Sequence, residues 1–514
     1  MSEHRHDTQH SGGQHLGGQR PGGQHPAGEY RSDERPGDEH PGGGGRWDDI
    51  VVGAGSAGCC VARRLAESGR RVLLLEAGPA RPAPAAVTGE DFLAALDEPE
   101  WTWPDLEVTR HPSGDAVPYR RGRGVGGSSA VNALVAMTGQ RDDYDRWEQH
   151  HGCTGRNWRW IEPGFRAARR RLRFSRRAPG PFTGALLAAA AGAGHPTGGS
   201  SLEPDRLGFA ACELTLYRGR RWSAADAYLD QPPPTLRVRP RSTVDRVVLD
   251  GTRAVGVALE DGTVLEGSRV VVCTGAAHTP AVLARSGVAL PGLGRSARDH
   301  PAVPLTVELR AGAPWLPSAG SPISHLLRWS SGVGGGVADL QALPLDRVGS
   351  DEGDDRHAVL MVGLMDVRST GAVLDAGGGT DLQLELLTDD LDVARLVHRL
   401  RQALELLRAE TMGRVVTAVR GPDGRTADEL RDADDDELAA WLPEQLGDYV
   451  HLAGTARMGP EEDADRVVDL DGGVVGYRSL YAVDASVFPD LPRANPHLPV
   501  LALAERLSDG LLGR

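Results

Sequence analysis

The sequence predicts two units in one chain: an α/β unit built on parallel strands, and an α+β unit containing an antiparallel sheet. Three observations predict this. A strand, a glycine turn, a helix and a second strand follow one another from Trp47 to Glu76. Two Asp-Gly pairs, Asp250-Gly251 and Asp261-Gly262, punctuate alternating apolar residues. A strand-like segment, Leu382 to Leu387, precedes a one-sided apolar run from Leu391 to Met412. A length of 514 residues suits two cores better than one.

Residues 1–46 read as a disordered tail rich in Gly, His and Gln. Runs such as Gly12-Gly13-Gln14-His15 and Gly22-Gly23-Gln24-His25 offer almost nothing to bury. Order begins at Trp47. Asp48-Asp49-Ile50-Val51-Val52 reads as a buried strand, and Val61, Ala62 and Leu65 mark the helix that follows the turn. Arg71-Val72-Leu73-Leu74-Leu75-Glu76 is the next strand, and a crossover helix of this kind makes the pair parallel. Thr235 to Arg239, Val244 to Leu249 and Ala254 to Leu259 read together as a β-meander, after which Ser268-Arg269-Val270-Val271-Val272-Cys273 returns to a buried parallel strand. Residues 339–356 and 424–437 are polar and acidic and read as loops. Val393, Leu396, Val397, Leu400, Leu404 and Leu407 form one helical stripe.

A formal net charge of −14 argues against a nucleic-acid partner, whose phosphates call for clustered Lys and Arg. Arg169-Arg170-Arg171 is the densest basic run and reads as a solvated helix face. Five scattered cysteines form no CxxC, so neither a disulfide framework nor a structural metal site follows. No stretch approaches twenty consecutive apolar residues, and the N-terminus lacks a signal-peptide pattern, so a cytoplasmic location is expected.

Gly53-Ala54-Gly55-Ser56-Ala57-Gly58 fits G-x-G-x-x-G between a strand and a helix. Gly53 permits the tight turn, Gly55 lets backbone approach a pyrophosphate, and Gly58 lets helix and strand pack closely. The helix start then presents unpaired N–H groups to an anion. Glu76 ends the second strand, placed to accept hydrogen bonds from ribose hydroxyls and to disfavour a 2′-phosphate. A dinucleotide site follows, with FAD and NAD not separated by the fingerprint alone.

Four further segments carry a family resemblance. They are Arg121-Gly122-Arg123-Gly124-Val125-Gly126-Gly127-Ser128-Ser129-Ala130-Val131-Asn132, Gly275-Ala276-Ala277-His278-Thr279-Pro280, Asp299-His300-Pro301, and His451 to Gly459 followed by Val483-Asp484-Ala485 and Asn495-Pro496. In this order they resemble the signatures of the glucose–methanol–choline (GMC) oxidoreductases. The resemblance implies a Rossmann-like FAD-binding domain assembled from three stretches, 47–155, 216–300 and 449–514, the last carrying the active-site residues. Residues 156–215 and 301–448 are implied to form the substrate-binding domain. Cofactor contacts are implied at Gly53, Gly55, Ser56, Ala57, Gly58, Glu76, Ala77, Arg123, Gly126, Gly127, Asn132, Val244, Asp484, Ala485 and Pro496. Some members attach FAD through a histidine just before the position of Asn132. That position is Val131 here, so non-covalent FAD is expected. Trp101 and Trp103 are read as packing, and His300 as structural.

The resemblance assigns the general base to His451 and a partnering amide to Asn495. Imidazole titrates near neutrality, which suits removal of an alcohol proton while hydride leaves for the flavin. Asn495 can donate to the oxygen as charge develops, and His497 stands where many relatives have asparagine. The expected activity is therefore FAD-dependent oxidation of an alcohol. Oxygen, a quinone, a carrier protein or a peptide-derived cofactor all stay open as acceptor, the last because the chain is similar to mycofactocin-associated members. Flavin-containing lyases of the same fold are the alternative class.

Overall fold

The computed structural model describes residues 46–310, 321–346, 357–375, 379–447 and 449–514. The expected tail therefore lies outside the described residues except for Arg46.

Five strands form a parallel sheet in the order Leu236–Arg239, Val72–Leu75, Asp49–Val52, Val270–Val272, Leu480–Ala482. Its three central strands are buried at every position, which is why their sequences run apolar without alternation. The helix Ser56–Glu67 buries Ala57, Val61 and Leu65. The helix His497–Leu511 packs against it and against the helix Trp158–Arg171. The meander is present as Val244–Asp250, Arg253–Leu259 and Val264–Glu266, all antiparallel. Leu236–Arg239 is not part of it. That segment extends the parallel sheet beside Val72–Leu75, a long-range pairing that no local pattern encodes.

The second unit is a seven-stranded sheet in the order Val416–Arg420, Ala302–Leu309, His357–Leu364, Leu340–Leu345, His325–Trp329, Gly208–Ala211, Thr197–Ser200. Its neighbours are antiparallel except for the last pair. The helix Asp390–Leu407 packs against the strand His357–Leu364. The fold class is as expected, an α/β parallel-sheet unit joined to one of mixed and antiparallel sheets.

Several local expectations are corrected. Leu340–Leu345, read as loop, is a fully buried central strand; residues 347–356 of the same segment lie outside the described residues. The acidic stretch 424–437 holds two helices, Ala427–Asp432 and Asp435–Trp441. Its acids act as caps rather than as solvated loop: Thr426 with Glu429, and Asp434 with Glu437, each close a capping box. The strand expected over Leu382 to Leu387 is Thr380–Gln383, because Glu385 and Leu387 adopt positive φ and turn the chain. The long helix ends at Leu407, and Glu410–Gly413 forms a separate turn.

Candidate active site

The glycine turn is built by contact rather than by flexibility alone. Gly53 has φ +95°, and a Cβ on Gly58 would stand 1.8 Å from the Gly53 carbonyl oxygen. The helix Ser56–Glu67 starts at Gly55 with no side chain capping it, so its first N–H groups are free for an anion. The loop through Gly127 lies on this turn; a Cβ on Gly127 would meet the Gly55 Cα at 2.6 Å. Turn and loop border a cavity of roughly 950 Å³.

Gly53, Gly55, Ser56 and Ala57 line that cavity, as do Glu76, Ala77, Arg123, Gly127 and Asn132. Val244, Asp484, Ala485, His451, Asn495 and Pro496 complete the set brought together. Gly58 and Gly126 stand behind the wall. Gly58 packs on Gly53, while Gly126, at φ +118°, donates its N–H to the Ala54 carbonyl.

Glu76 differs from expectation in what it already holds. Its Oε2 accepts from the Ala54 N–H, and its Oε1 from those of Gly78 and Gly124, each at 2.9 Å. Burial raises its pKa against these bonds. The carboxylate therefore ties the turn to the loop beside it, which is the work the structure displays. Asp484 does the same further along: it accepts from the Gly275 N–H, the Thr279 hydroxyl and the Ser486 N–H. Asn132 accepts from the Leu134 N–H and from Arg221 at 2.8 Å.

The histidine expected to be only structural is the neighbour of the expected base. His300 and His451 meet Nδ1 to Nδ1 at 2.9 Å. Asp299 Oδ1 accepts the backbone N–H of both, each at 2.7 Å, and Asp299 Oδ2 accepts the Tyr119 hydroxyl. Burial pushes the Asp299 carboxyl up to about 6, opposed by these donors. The Tyr449 ring stacks on His451 with centroids 5.1 Å apart. Burial, then His300, then Arg121 push the His451 pKa well below the ordinary histidine value. The lowered pKa favours the neutral form of the imidazole, the form a base must have. Two Nδ1 atoms sharing one proton also couple the tautomers: when His451 Nδ1 donates, its Nε2 carries the lone pair.

Asn495 places a buried carbonyl oxygen in the wall with no partner among the described residues. His497 Nδ1 meets the Ser56 hydroxyl at 2.9 Å, joining the starts of two helices, and its Nε2 has no partner. Burial, then Arg221, bring its pKa down to about 4.

The sequence reading missed several wall residues. Trp103, read as packing, lines the cavity against His278 at 4.4 Å, whereas Trp101 packs beneath Gly124. Arg121, Glu260 and Arg285 also line it. Arg121 and His278 sit inside the quoted motifs and could have been taken from them. Glu260 and Arg285 carried no signal.

Family models described as GMC oxidoreductase match residues 47–302 and 366–504. The chain belongs to the GMC oxidoreductases. A 5-(hydroxymethyl)furfural oxidase of Methylovorus sp. is 30% identical over 91% of this chain and 98% of its own length. A mitochondrial choline dehydrogenase of Mus musculus is 29% identical over 90% and 89%. The pyridoxine 4-oxidase of Mesorbium loti shares the fold at a TM-score of 0.81, with 24% identity over 91% of this chain and all of that one. The GMC fold carries an FAD-binding domain, and the residues present suit it: an uncapped helix start, an apposed glycine loop, and orphaned polar atoms at Asn495 and His497. No described helix is long and apolar enough to cross a membrane.

Proposed function

We propose that this FAD-dependent GMC oxidoreductase oxidises the carbinol carbon of a small alcohol, with His451 as the general base. The observation that carries the reading is the buried imidazole of His451, held against His300, in the same cavity as the uncapped helix start at Ser56. When bound, FAD supplies the electron sink for the hydride. Gly55, Ser56 and Gly127 would hold its diphosphate, Val244 its adenine end, and Asp484-Ala485 the return loop. Val131, in the wall, leaves FAD without a histidine attachment there and supports non-covalent binding.

His451 Nε2 takes the hydroxyl proton, its Nδ1 oriented by His300. Asn495 meets the same oxygen through its amide. The relatives named for 5-(hydroxymethyl)furfural and choline support the alcohol assignment, since each substrate bears a hydroxymethyl carbon. Neither relative lends support to the mycofactocin-associated branch, and oxygen is the acceptor to test first.

Purified protein should be yellow, and its flavin band near roughly 450 nm should bleach anaerobically with an alcohol. An oxidised band unchanged by a broad alcohol panel would favour the lyase reading. Replacing His300 with alanine is expected to lower kcat about 100-fold through misorientation of His451. The flavin spectrum and KM should change little; a loss confined to KM would give His300 a binding role instead.

A further inference from the structure

The cavity has two chemically distinct parts. The glycine turn and the Arg121–Asn132 loop give one part its polar and charged wall. The other is walled by Leu134, Ile323, Leu343, Leu345, Val359 and Met361, which belong to one apolar cluster together with Tyr449 and Ala494. Tyr449 stacks on His451, and Ala494 adjoins Asn495, so this apolar chamber opens on the proposed chemical pair. Four of these six residues come from two adjacent strands of the seven-stranded sheet, Leu340–Leu345 and His357–Leu364, and Phe92 packs against the same cluster.

Among the described residues of this chamber no carboxylate is present. Glu90, two residues before Phe92 in the chain, is engaged by Arg177 and by the Ser321 N–H. Among the described residues of its wall two aromatic side chains stand, Phe92 and Tyr449, and the Tyr449 hydroxyl already accepts from Gln341. A cation entering here would lose water and gain no counter-charge. A polyol would leave its additional hydroxyls without partners. An apolar group, by contrast, exchanges water for contact with aliphatic carbon.

We infer that the alcohol this site favours is uncharged and apolar beyond its carbinol, an aliphatic, alicyclic or aryl alcohol, over quaternary-ammonium alcohols and sugars. This rests on the proposed alcohol oxidation at His451. It goes further by assigning the substrate class from the walls.

The test uses flavin-loaded enzyme under anaerobic conditions with choline, its uncharged carbon isostere neopentyl carbinol, sorbitol, and the straight-chain primary alcohols. The isostere is expected to reduce the flavin with a kcat/KM at least about 100-fold above choline. Along the straight-chain series kcat/KM should rise about 4-fold per methylene until the chamber is full. Reduction by choline or sorbitol with the isostere inert would overturn this inference alone. Reduction by no alcohol would overturn the alcohol reading as well. Met361→Glu supplies the counter-charge from the chamber wall. With flavin content retained, it should raise the choline-to-isostere ratio by at least about 10-fold, and an unchanged ratio would show that this chamber does not face the substrate.

Discussion

Replacing His451 with glutamine is expected to lower kcat roughly 100-fold to 10,000-fold, the usual worth of a positioned base. Flavin should stay bound, because His451 is held by Asp299 and His300 rather than by the glycine turn. Stopped-flow reduction with a saturating alcohol measures the effect, and a variant that reduces its flavin at the wild-type rate would remove His451 from the mechanism. The pH profile carries the same argument. A base works unprotonated, so activity falls as pH drops through its pKa. Burial, His300 and Arg121 all lower that pKa from 6.5. The plateau of kcat/KM should therefore extend down past pH 6.5 and fall only on its acid side. A limb centred above 6.5 would mean that a negative charge stabilises the His451 imidazolium and outweighs its burial.

The second large effect is expected at Gly58. A valine there would drive its Cβ into the Gly53 carbonyl oxygen, 1.8 Å away, with the Cys273 Cβ at 3.3 Å leaving it no room to shift. The expected cost is about 3 kcal/mol or more, with colourless protein the visible sign. Gly55→Ala separates folding from cofactor binding. Gly55 has φ −77°, and the nearest atom to its added Cβ is the Gly127 Cα at 4.0 Å. The apoprotein should fold within roughly 0.5 kcal/mol of wild type, while FAD affinity drops about 10-fold, near 1.4 kcal/mol. Thermal unfolding with and without added FAD reads both quantities. Unchanged affinity in Gly55→Ala would place the diphosphate elsewhere.

The three central strands of the parallel sheet were legible because they are uninterrupted apolar runs, and the glycine turn because its glycines follow one spacing between strand and helix. Charge misled where it was taken as a mark of solvent. Glu429 and Glu437 were read as loop residues, yet each completes a helix cap. Composition does not distinguish an acid facing water from one facing a helix start. Pairings across long separations were hidden for another reason. His300 and His451 lie 151 residues apart, and neither motif names the other. Glu76 was placed correctly at a strand end, but its three backbone donors come from segments whose approach only the folded chain defines.

The order of strands in the parallel sheet has a consequence for how the protein is made. Its edge strand, Leu480–Ala482, and the Asp484 tie to Gly275 both come from the far end of the chain. The helix His497–Leu511 then covers the helix that begins at Ser56. About 430 residues separate the glycine turn from that closing strand. At ribosomal speeds the interval is roughly 20 to 90 s. For that time the nascent chain carries an open sheet edge and an uncovered helix, a surface for chaperones to hold. The glycine turn thus waits until the last residues are made for the strand and the tie that complete its sheet.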